Sequence, residues 1–333
     1  MNVNSNKPKT LQDAILYFSD ADNCLNYMVS KRWPDGVVTC PSCGRKDPVF
    51  LANQRKWQCK SVHPKRQFSA KVGTIFEDSP IGLDKWLTAM WMLANCKNGV
   101  SSYEISRTIG VTQKSAWFMM HRIRLAMKDR AWGIKTKLGG SGACEVDETF
   151  IGGKVRNMHK SRRAEIESKK SVGLKNETKT IVAGILDREK GQVRAQIIPN
   201  RERETLDSIV RNNVRFGSTI YSDAHDGYLG LRTRFTHEAL NKSIEGYVFG
   251  QVHTQGIENF WSLLKRGLAG TYVAVEPCHL SRYLDEQVFR FNTRKVGQRK
   301  ISDGERFELA LSQVLGRRLT FAEVTGKVGE TSN

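Results

Sequence analysis

The chain reads as a multidomain α+β protein, and three features of its sequence set that expectation. A Cys-rich, strand-like stretch runs from Val37 to about Ser79. A helical pattern follows from Leu83 to about Met127. After the glycine-bearing segment Lys135 to Gly142, strand-like runs precede helices. With 333 residues there is material for two or three domains, and 39% hydrophobic with 26% charged residues is a globular composition without tandem repeats. Fifty-three Lys and Arg against 34 Asp and Glu leave a formal charge of +19, so the field of the molecule attracts polyanions and nucleic acid is the expected partner. No run approaches the ~18 consecutive apolar residues of a membrane span and Met1 to Thr10 is polar, so no membrane partner and a cytoplasmic location are expected. The expected divisions are residues 10–80, 81–134, 143–295 and a C-terminal tail over 296–333.

Residues 10 to 31 carry Leu11, Ile15, Leu16, Leu25 and Met28 in short helices that end at the turn Trp33-Pro34-Asp35-Gly36. The stretch they cover holds a tight knuckle, Cys40-Pro-Ser-Cys43-Gly44, and then Cys59-Lys-Ser-Val-His63, which supplies a thiolate and an imidazole. Three Cys and one His close a tetrahedral site for a structural Zn2+, the mark of a zinc ribbon. With every position filled by protein, such a metal holds shape and does no chemistry, replacing the core that about 40 residues cannot build alone. Cys24, Cys96, Cys144 and Cys278 have no partner at motif spacing and are expected as small core residues in a reducing compartment.

Next comes a helix pair. Ser101-Ser102 can cap a helix with Ile105 and Ile109 inward, Gly110-Val111-Thr112 makes a turn, and Thr112 caps a second helix. There Ala116, Met120, Ile123 and Met127 recur at intervals of three and four, while Gln113, Lys114, Ser115, Arg122 and Arg124 lie on other faces. This is the layout of a helix-turn-helix whose second helix reads DNA, with Gln113, Lys114 and Arg122 as the expected contacts; a purely structural pair would carry the same pattern. Trp86, Trp91 and Trp117 are expected in the core.

The second half begins with strand-like runs at Ala143 to Phe150, Thr180 to Leu186, Val193 to Pro199 and Ser218 to Ser222, followed by helices from about Thr254 to Gly267 and from His279 to Asn292. Between the first two strands, Lys154 to Lys175 holds eight Lys or Arg against two Glu, a basic loop expected to be ordered by DNA through residues such as Arg162 and Arg163. Phosphodiester cleavage by two metal ions needs carboxylates brought together from separate elements. Asp147 lies within the apolar run Ala143 to Phe150, where a charge is costly without a metal. Asp223 ends a strand and Glu258 lies near the start of a helix. Strand, strand end and helix suit a ribonuclease-H-like α/β domain with a mixed sheet. On an ideal helix at ~100° per residue, Ile257, Phe260, Leu264 and Leu268 share one side, and Glu258 and Lys265 stand within about 20° of each other beside them. Acid and base therefore share a face, and Lys265 is placed to grip a DNA phosphate beside the scissile bond.

Together these motifs resemble the insertion-sequence transposases that carry an N-terminal zinc ribbon and a DDE-type nuclease domain. The likeness spans roughly residues 10 to 295. It runs through Cys40-Pro-Ser-Cys43, Gln67-Phe-Ser, Gly73-Thr-Ile-Phe-Glu-Asp78, Val146-Asp-Glu-Thr-Phe-Ile-Gly-Gly-Lys154, Tyr221-Ser-Asp-Ala, His253-Thr-Gln-Gly-Ile-Glu-Asn-Phe-Trp-Ser-Leu-Leu-Lys265, and Tyr283 to Arg294. It implies that Asp147, Asp223 and Glu258 are the catalytic triad holding two Mg2+ or Mn2+ ions, with Lys265 as the accompanying base. Some members have an amide in place of the third acid, which leaves Asn259 as the alternative ligand. His253 belongs to the motif either as a DNA contact or as a helix cap. The partners so implied are double-stranded DNA, as element ends and target, and a second copy of the chain in a dimer or larger assembly at the prokaryotic nucleoid. The same acids would serve a nuclease that cleaves without joining, and the ribbon and helix pair alone would serve a non-catalytic regulator.

Overall fold

The computed structural model describes residues 7–128, 137–153, 159–171, 179–240 and 250–327. The chain divides into two compact units, Met1–Lys128 with Thr293–Asn333, and Asp129–Asn292.

In the first unit, α1 (Leu11–Phe18) starts at Thr10, whose hydroxyl accepts from the Asp13 N–H while the Asp13 carboxylate accepts from the Thr10 N–H. Helix α2 (Ala21–Arg32) starts at Asp20. A three-stranded antiparallel sheet follows, made of β1 (Val49–Leu51), β2 (Lys56–Gln58) and β3 (Gln67–Phe68). It is too small for a core of its own. Its apolar content is Trp57, set among Trp33, Phe50 and Phe68 at ring distances of 5.5, 5.2 and 5.9 Å. Helix α3 (Leu83–Asn95) buries Trp86, Leu87, Met90 and Trp91. Helices α4 (Ser102–Ile109) and α5 (Gln113–Met127) form the expected pair: Ser101 and Glu104 make a reciprocal cap, Gly110 ends α4, and Thr112 accepts from the Ser115 N–H.

The second unit is a five-stranded mixed sheet. Strands β4 (Cys144–Ile151), β5 (Thr180–Asp187), β6 (Gln192–Ile198), β7 (Thr219–Asp223) and β8 (Thr236–Leu240) lie in the order β6-β5-β4-β7-β8. The first three are antiparallel to one another, and β7 and β8 run parallel to β4. Side chains alternate across the sheet. Val146, Ile181, Ala183, Ile185 and Ile220 meet Leu206, Ile209 and Val210 of α7 (Arg203–Asn213) on one face. On the other, Val182, Leu186, Val193 and Ala195 meet α8 (Gln255–Gly267) and α9 (Leu280–Asn292) through Ile257, Phe260, Leu264, Leu284 and Val288. The segment expected as a basic loop is in part a helix, α6 (Lys160–Ser171), with Ile166 buried. Lys, Arg and Glu are good helix formers, and a segment rich in them can take that conformation without DNA.

The residues expected as a C-terminal tail fold into the first unit. After the hairpin β9 (Lys295–Val296) and β10 (Arg299–Lys300), α10 (Asp303–Ser312) is capped by Ser302 and Glu305, and α11 (Phe321–Thr325) by Thr320 and Glu323. Phe307 is fully buried, with its ring 5.6 Å from Phe18, 6.0 Å from Tyr27 and 5.1 Å from Trp91. Arg317 donates to the carbonyls of Leu125 and Lys128, satisfying acceptors that the end of α5 leaves open. Phe307→Ala should therefore lower the stability of this unit by about 3–5 kcal/mol, read by chemical denaturation.

Candidate functional site

The four ribbon ligands converge. All donor atoms of Cys40, Cys43, Cys59 and His63 lie within 4.8 Å of one another. Cys40 Sγ is 3.5 Å from His63 Nε2 and Cys43 Sγ is 3.5 Å from Cys59 Sγ. Tetrahedral Zn2+ with Zn–S of about 2.3 Å and Zn–N of about 2.0 Å sets donor separations of roughly 3.5–3.8 Å, so the set fits a structural zinc with His63 binding through Nε2. The Arg45 backbone N–H holds the Cys43 thiol below its ordinary pKa, while burial raises that of Cys59.

Along α5, Lys114 is exposed with its Nζ 4.9 Å above the Phe321 ring, and Gln113 donates to Ser102 Oγ at 2.9 Å, tying the start of α5 to α4. Arg122 corrects the sequence reading. Only 4% exposed, it donates to the Glu77 carbonyl and its guanidinium lies 5.4 Å over both Trp86 and Phe118, so it is a core residue and not a DNA contact. Helix α5 packs against α3, α4, α10 and α11 and buries a wider face than a surface stripe implies. Arg163 of α6 is exposed; the Arg162 side chain lies outside the described residues.

The acids of the second unit lie at the edge of the α8 face of the sheet. The parallel ladder pairs Cys144 with Ile220 and Glu145 with Tyr221; the same offset carried two residues on matches Asp147 with Asp223. Both are half-buried, as is Glu258 on the first turn of α8, where Thr254 Oγ1 donates to Glu258 Oε1 at 3.1 Å. Tyr228 reports on the neighbourhood. Burial, and then the charge of Glu148, raise its pKa well above the ordinary value, and Asp147 and Asp223 both push the same way, so one phenol lies within reach of both fields. Among the described residues, Cys40, Cys43, Cys59 and His63 form a group whose ligand atoms lie within 4.8 Å of one another, and the three carboxylates do not form such a group. Lys265 is exposed on α8 two turns beyond Glu258.

What seats α8 is a second buried carboxylate. Glu145, 1% exposed, accepts from the Ile257 N–H at 2.8 Å and from Arg188 Nε at 2.7 Å. An anion at a helix N-terminus is stabilised by the unpaired N–H groups there. Arg188 also donates to the carbonyls of Gln251 and His253, each at 2.7 Å, and its Nη2 lies 2.8 Å from His253 Nδ1. His253 is thus part of the anchor at the start of α8. Close approach is possible because a Cβ at Gly256 would stand 2.3 Å from Leu186 Cδ2 and 2.9 Å from Glu145 Oε2.

Comparison with known proteins agrees with this layout. The sequence model of the ISXO2-like transposase domain matches residues 138–292 and that of the transposase zinc-ribbon domain residues 19–61. A transposase-like protein of Haemophilus influenzae is 32% identical over 110 residues, covering 86% of its length and 32% of this chain. The chain belongs to the ISXO2-like transposases. A protein in transposable element ISH50 of Halobacterium salinarum is 26% identical to this transposase over 283 residues, covering 82% of this chain and 92% of that protein. Among solved structures, the catalytic core domain of BIV integrase covers 51% of the transposase and 95% of its own chain at 17% identity, with a TM-score of 0.32, too low to carry a geometric argument. As a DDE transposase with a zinc ribbon, the protein cleaves and joins DNA, and among the described residues no helix is long and apolar enough to cross a membrane.

Sequence reasoning missed Glu145, Arg188 and Trp261 of the transposase. The signal for Glu145 was present, since it shares the strand and face of Asp147, where a charge needs a partner. Two outcomes follow from the geometry. Chelation should strip zinc in a one-to-one ratio, measured by a colorimetric metal assay, and lower the melting temperature of the first unit, with Cys40→Ser doing the same. Glu145→Ala should destabilise the second unit by about 3–5 kcal/mol in denaturant unfolding because it leaves Arg188 without its buried partner, and Glu145→Gln should cost less, about 1–3 kcal/mol.

Proposed function

We propose that Asp147, Asp223 and Glu258 hold a pair of Mg2+ (or Mn2+) ions, and that the transposase uses this site to hydrolyse the ends of its element and join the freed 3′-hydroxyls to target DNA. The observation that carries the reading is the register that brings Asp147 and Asp223 to matching positions on adjacent parallel strands, the first of which packs against the helix that bears Glu258. The donor set fits the cations: hard carboxylate oxygens, half-buried and open to substrate. When bound, the metals supply Lewis-acid stabilisation of the phosphoryl oxygens and lower the pKa of the attacking hydroxyl.

The chain's own part is to place charge. Glu258 is favoured over Asn259 as third ligand by helix geometry. Trp261 contacts Asp147 through its indole; at ~100° per residue Glu258 stands about 60° from Trp261 around α8 and Asn259 about 160° away, turned from the sheet. Asn259 is also exposed. Lys265, about 10 Å along the same helix from Glu258, offers a mobile point charge to the phosphate backbone flanking the cut. Lys114 and Arg163, both exposed, serve as further contacts to the DNA backbone, and Gln113 has one side-chain N–H committed to Ser102 Oγ. An element has two ends, so the working assembly is a dimer or larger on DNA.

The test is cleavage of a duplex carrying the element's own end, with Mg2+. Asp147→Ala, Asp223→Ala and Glu258→Ala should each slow cleavage at least about a thousandfold, the scale of several kcal/mol of lost charge stabilisation, with duplex binding retained. Asn259→Ala should stay near wild type. Wild-type cleavage by Asp147→Ala would defeat the reading.

A further inference from the structure

We propose that Trp261 is the positioning residue for Asp147: its indole N–H holds one carboxylate oxygen in place so that Asp147 meets the metal in a fixed orientation. The role rests on Asp147 being a metal ligand. Trp261 Nε1 donates to Asp147 Oδ2 at 3.0 Å, and the ring is 4% exposed. Asp147 pairs with Gly184 across the antiparallel β4–β5 ladder, and the indole lies on that glycine. A Cβ at position 184 would stand 2.6 Å from Trp261 Cη2 and 2.7 Å from Cζ2, with Ile257 Cδ1 at 3.0 Å. The strand residue opposite the acid is thus the one that makes room for the ring that holds it.

The chemistry of the donor suits the task. An indole N–H donates one hydrogen bond and accepts none, so it selects an oxygen and a direction. It carries no charge, so it orients the carboxylate without competing with a cation for it, as Lys or Arg would. Buried among Val182, Leu186, Phe260 and Leu264, the ring has little freedom to follow a wandering side chain. Partners of this kind, one step removed from the metal, typically change metal affinity or activity about 10–100-fold when removed.

The experiment uses the full chain with isotope-labelled indole nitrogens, the Trp261 resonance being identified by its loss in Trp261→Phe and independently by its displacement in Gly184→Ala. On titration with MgCl2 the Trp261 N–H resonance should shift, since the oxygen it is bonded to gains a cation. Trp261→Phe should raise the Mg2+ concentration for half-maximal end cleavage about tenfold or more, with duplex binding in the absence of metal unchanged. Gly184→Ala, which displaces the indole without removing it, should move the metal requirement in the same direction, and it decides the matter together with the wild-type resonance if the Phe variant does not fold. A resonance indifferent to Mg2+, or a wild-type Mg2+ requirement in both folded variants, overturns the proposal and leaves the triad standing. Wild-type cleavage by Asp147→Asn overturns the metal-ligand reading itself, and this role with it.

Discussion

The Glu145 carboxylate, almost without solvent contact, lies against the open N–H groups of one helix and the guanidinium of Arg188. Each partner alone would leave a charge stranded in low dielectric; together they make burial tolerable. The consequence is positional. Because Glu145 sits two residues before Asp147 on the same strand face, the helix that carries Glu258 is seated against the strand that carries Asp147. Trp261 on Gly184 makes a second contact one turn further along. A helix seated at two points cannot slide or rotate without breaking a buried polar contact, so the separation of two proposed ligands is set by packing and not by loop length.

The parts of the fold legible in the sequence were those where a local rule operates. Ser101 and Thr112 announced helix starts, the Cys knuckles announced a metal, and the branched apolar runs at Thr180 and Val193 announced strands. What stayed hidden depended on distant residues. Strand β8, Thr236–Leu240, alternates half-buried with exposed positions and has only its parallel neighbour β7 to define it. Arg122 looked like a surface base because nothing near it in the chain says that Glu77, Trp86 and Phe118 will surround it.

Within the site the division is similar. Residue type and placement on strand, strand end and helix, together with the motifs around them, pointed to Asp147, Asp223 and Glu258, although Glu145 and Glu148 stand on the same strand as Asp147. The supporting contacts did not show, since the amphipathic stripe Ile257, Phe260, Leu264 and Leu268 leaves Trp261 ambiguous, and the meaning of Gly184 emerges only once its cross-strand partner is known. Glycine in mid-strand ordinarily weakens a sheet. Here the missing side chain is the space an aromatic ring occupies.

The placement of Phe307 among Phe18, Tyr27 and Trp91 has a consequence for biosynthesis. A nascent chain that has emerged through α5 lacks the ring that fills the space between α1, α2 and α3, so the ribosome must finish the residues of the second unit before the core of the first can close.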